Sequence, residues 1–309
     1  MQQHFIAAVD VGATNVRVAI ADADGEIQAR RALPFPGGPP APLLDAIGRT
    51  IDELARTVWT GARVGAIGVV LPGAVDPDRG VVSTPANLPG WGEVPIAELL
   101  GAPRGIPVAM ENDANAAAVG EGWLGAATGL DCYVFIALGT GIGAGVVVDG
   151  KLHRGAHFLA GEVAFVPVSR AQVRAPAWDN NLEALVGGRT MAQRAVTLLG
   201  DGAKPSDLFE AARAADGDAA AWLHELHEHL AMAVVDICAL LDPQAVIFGG
   251  GVIMAQGEAL LAPLRDLALR CLPSRPQILL SQLGEDAQLL GAVRLARDRL
   301  QGDTHDPRA

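Results

Sequence analysis

The spacing of apolar and polar positions changes period from segment to segment along this 309-residue chain. Phe5 to Val11 is an apolar run, and Val16-Arg17-Val18-Ala19-Ile20 alternates as a half-buried strand does. Between them Asp10-Val11-Gly12-Ala13-Thr14-Asn15 predicts a tight hairpin; Asp22-Ala23-Asp24-Gly25 predicts a second turn, into a third strand from Glu26 to Ala32. From Leu43 to Val58 the period lengthens to that of a helix, through Leu43, Leu44, Ile47, Ile51, Leu54 and Val58. Val64 to Leu71 is a buried-type strand that stops at Pro72-Gly73, and residues 74–91 follow as a long irregular loop. The run Ile106 to Met110 predicts another strand, and Ala116-Ala117-Ala118 a helix to about Leu124.

The second half repeats the alternation of strand and helix. Tyr133 to Leu138 and Val146 to Val148 are strands on either side of Gly139-Thr140-Gly141-Ile142-Gly143-Ala144-Gly145. Residues 166–181 are polar and irregular, a helix begins at Leu182, and residues 204–242 are helical with one stripe through Trp222, Leu226, Leu230, Val234 and Leu241. His224, His227 and His229 fall on more than one face there, which favours a solvated flank over a zinc site. Ala245 to Phe248 is a strand ending in Gly249-Gly250-Gly251; a last strand, Pro276 to Ser281, and a last helix, 286–300, close the pattern.

Composition narrows the class. Half of the chain is apolar, and 37 glycines and 20 prolines are spread along it, which suits an α/β protein with many turns. A formal net charge of −12 with no Lys/Arg cluster opposes binding to nucleic acid or to an anionic membrane. Cys132, Cys238 and Cys271 lie far apart in apolar segments, so buried thiols and a reduced, cytoplasmic protein are expected. No apolar run has membrane-spanning length, and with a strand starting a few residues in, no export leader is expected.

Several polar residues sit where strands end. In Glu111-Asn112-Asp113-Ala114-Asn115, Asp113 is either a helix N-cap or a carboxylate held at a strand end, able to take a proton from a substrate. Asp10 is an acid at the end of a buried strand, beside small residues that let a phosphate approach the backbone. The two glycine hairpins, each with a threonine, suit a polyphosphate held from both sides, although the second is neither a Walker loop nor a dinucleotide fingerprint. Three glycines at residues 249–251 allow an extended ligand to lie against the backbone.

In this order the pieces resemble the ROK family of sugar kinases and repressors. The first hairpin is similar to the family's phosphate loop, with Ala13 where Gly is usual. Asn87-Leu88-Pro89-Gly90-Trp91 is similar to its sugar loop, and residues 111–115 to its catalytic segment. Residues 139–145 resemble its second phosphate loop, residues 149–162 a further stretch, and Gly249-Gly250-Gly251 its adenosine loop. The resemblance implies an α/β chain of the actin-like ATPase and sugar-kinase fold (ribonuclease H-like), with two domains around a central cleft. The smaller, N-terminal domain would be residues 1–115 plus about 287–309; the larger, residues 116–286, would carry the second phosphate loop, the sugar-binding glutamates and the adenosine loop.

The resemblance also implies roles. Asp113 would be the general base toward a hexose 6-OH, glucose first, with fructose, mannose, allose or an N-acetylhexosamine as alternatives. Gly73, Asn87, Asn112, Glu162 and Glu183 would bind the sugar. Asp10, Gly12, Thr14, Asn15, Arg17, Thr140, Gly141, Gly250 and Gly251 would bind ATP, with Asp10 positioning Mg²⁺. A homodimer or homotetramer is implied. Members with a structural zinc carry a His three residues after the matched Glu162 and then three cysteines. Here that position is Phe165 and no cysteine lies between Cys132 and Cys238, so no zinc site is expected. That His also touches the sugar, so Phe165 removes a hydrogen-bonding partner from the sugar side. The family's repressors carry an N-terminal helix-turn-helix; a first strand at about Phe5 and the acidic charge oppose that reading. A sugar-binding protein without catalysis is opposed by Asp10, Asp113 and Thr140.

Overall fold

The computed structural model describes residues 4–12, 14–35, 37–58, 63–84, 88, 90–91, 93–174, 181–214 and 217–302. The chain runs through β1 (His4–Val11), β2 (Asn15–Ala21), β3 (Ile27–Pro34), α1 (Pro40–Val58), β4 (Arg63–Leu71), β5 (Ala74–Asp76), β6 (Val81–Thr84), α2 (Ile96–Gly101), β7 (Val108–Asn112) and α3 (Asp113–Leu124). It continues through β8 (Tyr133–Leu138), β9 (Ile142–Val148), β10 (Lys151–Leu152), α4 (Arg170–Arg174), α5 (Leu182–Val186), α6 (Gly188–Leu199), α7 (Pro205–Arg213) and α8 (Gly217–Leu241). The last elements are β11 (Ala245–Gly249), α9 (Gly251–Gln256), α10 (Glu258–Cys271), β12 (Gln277–Leu280) and α11 (Ala287–Gln301). Two compact units form: Met1–Thr128 with Lys151–Ala160 and Asp286–Ala309, and Gly129–Gly150 with Gly161–Glu285.

In the first unit the sheet order is β3-β2-β1-β4-β7. The hairpins β1-β2 and β2-β3 are antiparallel, and β4 and β7 add in parallel. Because side chains alternate across a strand, β1 serves two cores. Phe5, Ala7, Val9 and Val11 pack with Leu44, Ile47 and Ile51 of α1, while Ile6 and Ala8 pack with Ala116 of α3 and Leu289, Ala292 and Val293 of α11. The helix after Asp113 lies within this unit because small residues let it approach α11 closely. A Cβ at Gly291 would collide with the Ala116 backbone, so only glycine permits that approach.

The second unit places β9-β8-β11-β12 side by side, β9 antiparallel to β8 and the others parallel. One face packs with α8, whose stripe Trp222, Leu226, Leu230, Val234 and Cys238 is buried, and α7 and α10 lie against α8. Phe209 of α7 meets Trp222 edge-on with ring centroids 5.1 Å apart.

Several expectations are corrected. Residues 74–91 are not wholly irregular: β5 and β6 pair antiparallel, with Val75 opposite Val82, around a turn in which Asp76 accepts the Asp78 and Arg79 N–H groups at 3.0 Å. The second glycine stretch is loop only as far as Gly141, since β9 starts at Ile142. The helical region from Lys204 to Asp242 is two helices, α7 ending at Arg213 and α8 starting at Gly217. His227 is buried rather than solvated, and its Nε2 lacks a hydrogen-bond partner. Cys238 is buried, but Cys132 is only partly covered and Cys271 is exposed.

Candidate active site

Strand ends and the turns beyond them gather the polar residues of the first unit. Asp10 leaves the end of β1 opposite Arg17 of β2, and the register puts their side chains together. Arg17 donates to Asp10 Oδ2 from Nε at 2.9 Å and from a terminal nitrogen at 2.6 Å. Burial raises the pKa of Asp10 above its ordinary value, against the lowering pull of Arg17. The hairpin closes through Gly12 N–H, which donates to the Asn15 carbonyl at 3.0 Å. Thr14 and Asn15 stand exposed at its tip, and Ala13 lies outside the described residues.

At the end of β7 the chain turns directly into α3, and Asn112 makes the junction. Its Oδ1 accepts the Ala114 and Asn115 N–H groups at 2.9 and 3.2 Å, and its amide donates to the Gly73 carbonyl at 3.2 Å. Asp113 is therefore the first helical residue, not the cap; its Oδ1 accepts from Ala114 N–H at 2.9 Å and the residue is partly exposed. Beneath it, buried Glu111 accepts from Asn112 N–H and from the Asn115 amide, both at 3.0 Å, and from Arg154 Nε at 2.7 Å. Neither Glu111 nor Arg154 had been assigned a role from sequence, because the partners are separated along the chain and each alone is an ordinary charge. Asn87 lies outside the described residues.

In the second unit the turn between β8 and β9 is closed by Gly139 N–H donating to the Gly141 carbonyl at 3.0 Å. The start of α6 is fastened to it: Gly188 and Arg189 N–H donate to the Gly139 and Thr140 carbonyls at 2.9 and 3.0 Å. Glu183, in the first turn of α5, accepts from Ile142 N–H at 3.1 Å. Glu162 follows Gly161, whose carbonyl accepts from Ala144 N–H at 2.8 Å. Burial raises the pKa of Glu162, and the neighbouring negative charge of Glu183 raises it further. Phe165, ending the same short 3-10 turn, is 49% exposed.

These elements enclose an open pocket of about 520 Å³ lined by Gly139, Thr140, Gly188, Arg189, Pro205, Gly251 and Val252. The second glycine loop and the last glycine run thus share one wall. Gly250 instead caps α9 with φ 92° and lies against the Leu138 backbone, a position no side chain would fit. Gly188, Arg189 and Pro205 were missed from sequence; the Gly187-Gly188 pair opening a helix was the available signal.

Among the described residues no group of three or more His, Cys, Asp or Glu is arranged to hold a metal ion. A magnesium ion arriving with a nucleotide needs only one or two protein carboxylates beside phosphate and water. Asp10, a buried carboxylate at a strand end beside the first glycine hairpin with its Oδ2 held by Arg17, is a carboxylate of that kind. No helix among the described residues is long and apolar enough to cross a membrane.

The family model described as "ROK family" matches residues 6–299. A glucokinase from Thermotoga maritima is 32% identical over 95% of this chain and 98% of its own. An N-acetylmannosamine kinase from Escherichia coli is also 32% identical, over 95% of this chain and 98% of its own. Among solved structures, a ROK family glucokinase from Streptomyces griseus, in complex with glucose and AMPPNP, superposes with a TM-score of 0.78 at 30% identity, covering 95% of this chain and 99% of that one. The fold is that of the sugar kinases of actin-like ATPase type.

Proposed function

From the premise that this chain belongs to the ROK family, we propose that it is an ATP-dependent hexose kinase with Asp113 as general base. The observation that carries the reading is the pocket in which Gly139-Thr140, Gly188-Arg189 and Gly251-Val252 meet, a site large enough for a nucleotide with three glycines in its lining. Glucose is the first substrate to consider, given the glucokinase relative and the glucose-bound structure.

Phosphoryl transfer asks the protein mainly for positioning and charge compensation. The sugar hydroxyl oxygen attacks the γ-phosphorus, the bond from that phosphorus to the β-bridging oxygen breaks, and ADP leaves. Asp113 takes the hydroxyl proton as the new bond forms. Asn112, Gly73, Asn87, Glu162 and Glu183 fix the hydroxyls, carboxylates being apt because each accepts from two neighbouring OH groups. Thr140 and Gly141 take phosphate oxygens from one hairpin, and Gly12, Thr14, Asn15 and Arg17 from the other. Gly250 and Gly251 lie along the nucleoside. Asp10 would hold Mg²⁺, which supplies neutralisation of the phosphate charge when bound. Family resemblance extends the reading to a cytoplasmic homodimer or homotetramer.

A second reading has its own support. The N-acetylmannosamine kinase relative is as similar as the glucokinase, and Phe165 offers an apolar ring where a hydrogen-bonding His is usual in the family. An N-acetylhexosamine is thus the competing substrate. A coupled ADP-release assay with Mg-ATP across glucose, mannose, fructose, allose and the N-acetylhexosamines separates the two. Turnover with glucose above all others supports the first reading, a preference for N-acetylmannosamine the second, and no turnover above Asp113→Asn with any sugar rejects both.

A further inference from the structure

We propose that Glu183 is a positioning residue for the nucleotide: its carboxylate locks the second glycine loop into its phosphate-binding shape, independently of any contact with the sugar. This rests on the kinase reading above. Glu183 Oε2 accepts the Ile142 N–H at 3.1 Å, at the residue where the loop becomes strand. The same carboxylate lies against Gly141, and a Cβ at that position would run into its Oε2. The loop therefore has a glycine there in order to admit the glutamate, not only a phosphate. Five residues on, the chain from Glu183 returns to the same loop, where Gly188 and Arg189 N–H hold the Gly139 and Thr140 carbonyls at 2.9 and 3.0 Å. Between the two attachments runs a single turn of helix, closed by Gly187 N–H donating to the Glu183 carbonyl at 2.8 Å.

The loop is thus gripped at its far end by a side chain and at its near end by two backbone groups, all from one short segment. Gly139, Thr140, Gly188 and Arg189 line the pocket directly. Loss of the Glu183 acceptor leaves the Ile142 N–H unpaired and frees one end of the loop. A hydrogen bond to a charged acceptor is of the size that shifts binding by roughly tenfold or more. Gln retains a carbonyl oxygen that can accept from Ile142, whereas Ala retains nothing.

The test is AMPPNP binding by calorimetry with Mg²⁺ and without sugar, on the wild type, Glu183→Gln and Glu183→Ala. The expected result is a Kd raised about tenfold in Glu183→Ala and within about threefold of wild type in Glu183→Gln. Gly141→Ala, which keeps the glutamate in the chain but displaces its carboxylate from the loop, should reproduce the loss if Glu183→Ala does not fold. Wild-type affinity in Glu183→Ala, or in Gly141→Ala where Glu183→Ala does not fold, overturns the inference alone, as does an equal loss in Glu183→Gln and Glu183→Ala, which would make charge and not the hydrogen bond responsible. Absence of AMPPNP binding by the wild type overturns the kinase reading, and this inference with it.

Discussion

Asn112 occupies the cap position in front of Asp113, accepting the Ala114 and Asn115 N–H groups and tying itself to the Gly73 carbonyl. The two residues thereby divide tasks that a single aspartate would otherwise combine. One fixes the start of α3, in addition to the sugar contact proposed for it; the other opens that helix with a carboxylate, the group proposed as general base.

The division predicts opposite phenotypes for neighbouring substitutions. Asn112→Ala should lower unfolding free energy by about 1 kcal/mol, the usual cost of a lost cap. Asp113→Asn should change stability little while lowering kcat by roughly 10²- to 10⁴-fold, the range of general-base catalysis. Urea denaturation and steady-state kinetics on the two variants measure both. A stability loss confined to Asp113→Asn would reverse the assignment of the cap.

Glu111 and Arg154 form the support beneath. The Glu111 side chain is almost wholly buried and that of Arg154 is 16% exposed, so removing the cation strands a buried carboxylate. Arg154→Met is expected to cost about 3 kcal/mol in urea denaturation, and the double variant Arg154→Met with Glu111→Gln to recover part of it. Equal stability of Arg154→Met and wild type would show that the pair holds nothing.

Glu162 carries a pH signature. Its folded-state pKa is raised above the ordinary 4.5, by burial and then by Glu183. A raised carboxyl binds more protons folded than unfolded, so its stabilising contribution is complete below the unfolded value and is lost as pH rises through the folded one. Glu162→Gln should therefore flatten the decline in stability with rising pH that begins near 4.5, and gain on the wild type above that window. Melting curves across the acid range show it; parallel curves for the two proteins would contradict it.

Gly188 sits where the pocket proposed for the nucleotide meets the loop. A Cβ there would stand 2.5 Å from the Gly139 carbonyl oxygen that its own N–H holds. Gly188→Ala should raise KM for ATP by about tenfold while leaving KM for the sugar within about twofold, since a single hydrogen bond of the loop is disturbed. An effect on the sugar alone would remove Gly188 from the nucleotide side.

Strands such as β1, β4, β8 and β11 were legible because continuous apolar runs of that length have few other uses. The hairpin of β5 and β6 was not, since three or four residues are too short for alternation to show, and Pro72-Gly73 reads as loop. Nor did β9 declare itself at Ile142. Gly143 and Gly145 look like turn residues, yet Gly145 pairs with Phe135 and the neighbouring Ala144 packs closely on Gly161. His227 was misread because a helical wheel gives a face but not what covers it. In the candidate site, short motifs showed where polar residues leave strands. The support from Arg154 to Glu111 and the grip of Glu183 on Ile142 stayed hidden, because both join residues about forty positions apart.

The central claim is Asp113-dependent transfer of phosphate from ATP to a hexose. Its most direct test is ³¹P NMR of wild type and Asp113→Asn, each incubated with Mg-ATP and the sugar that gives the highest turnover. The account predicts a sugar 6-phosphate resonance growing in step with ADP in the wild type and almost none in the variant. Formation of ADP with free phosphate and no phosphosugar, or of phosphosugar at equal rates in both proteins, would contradict it.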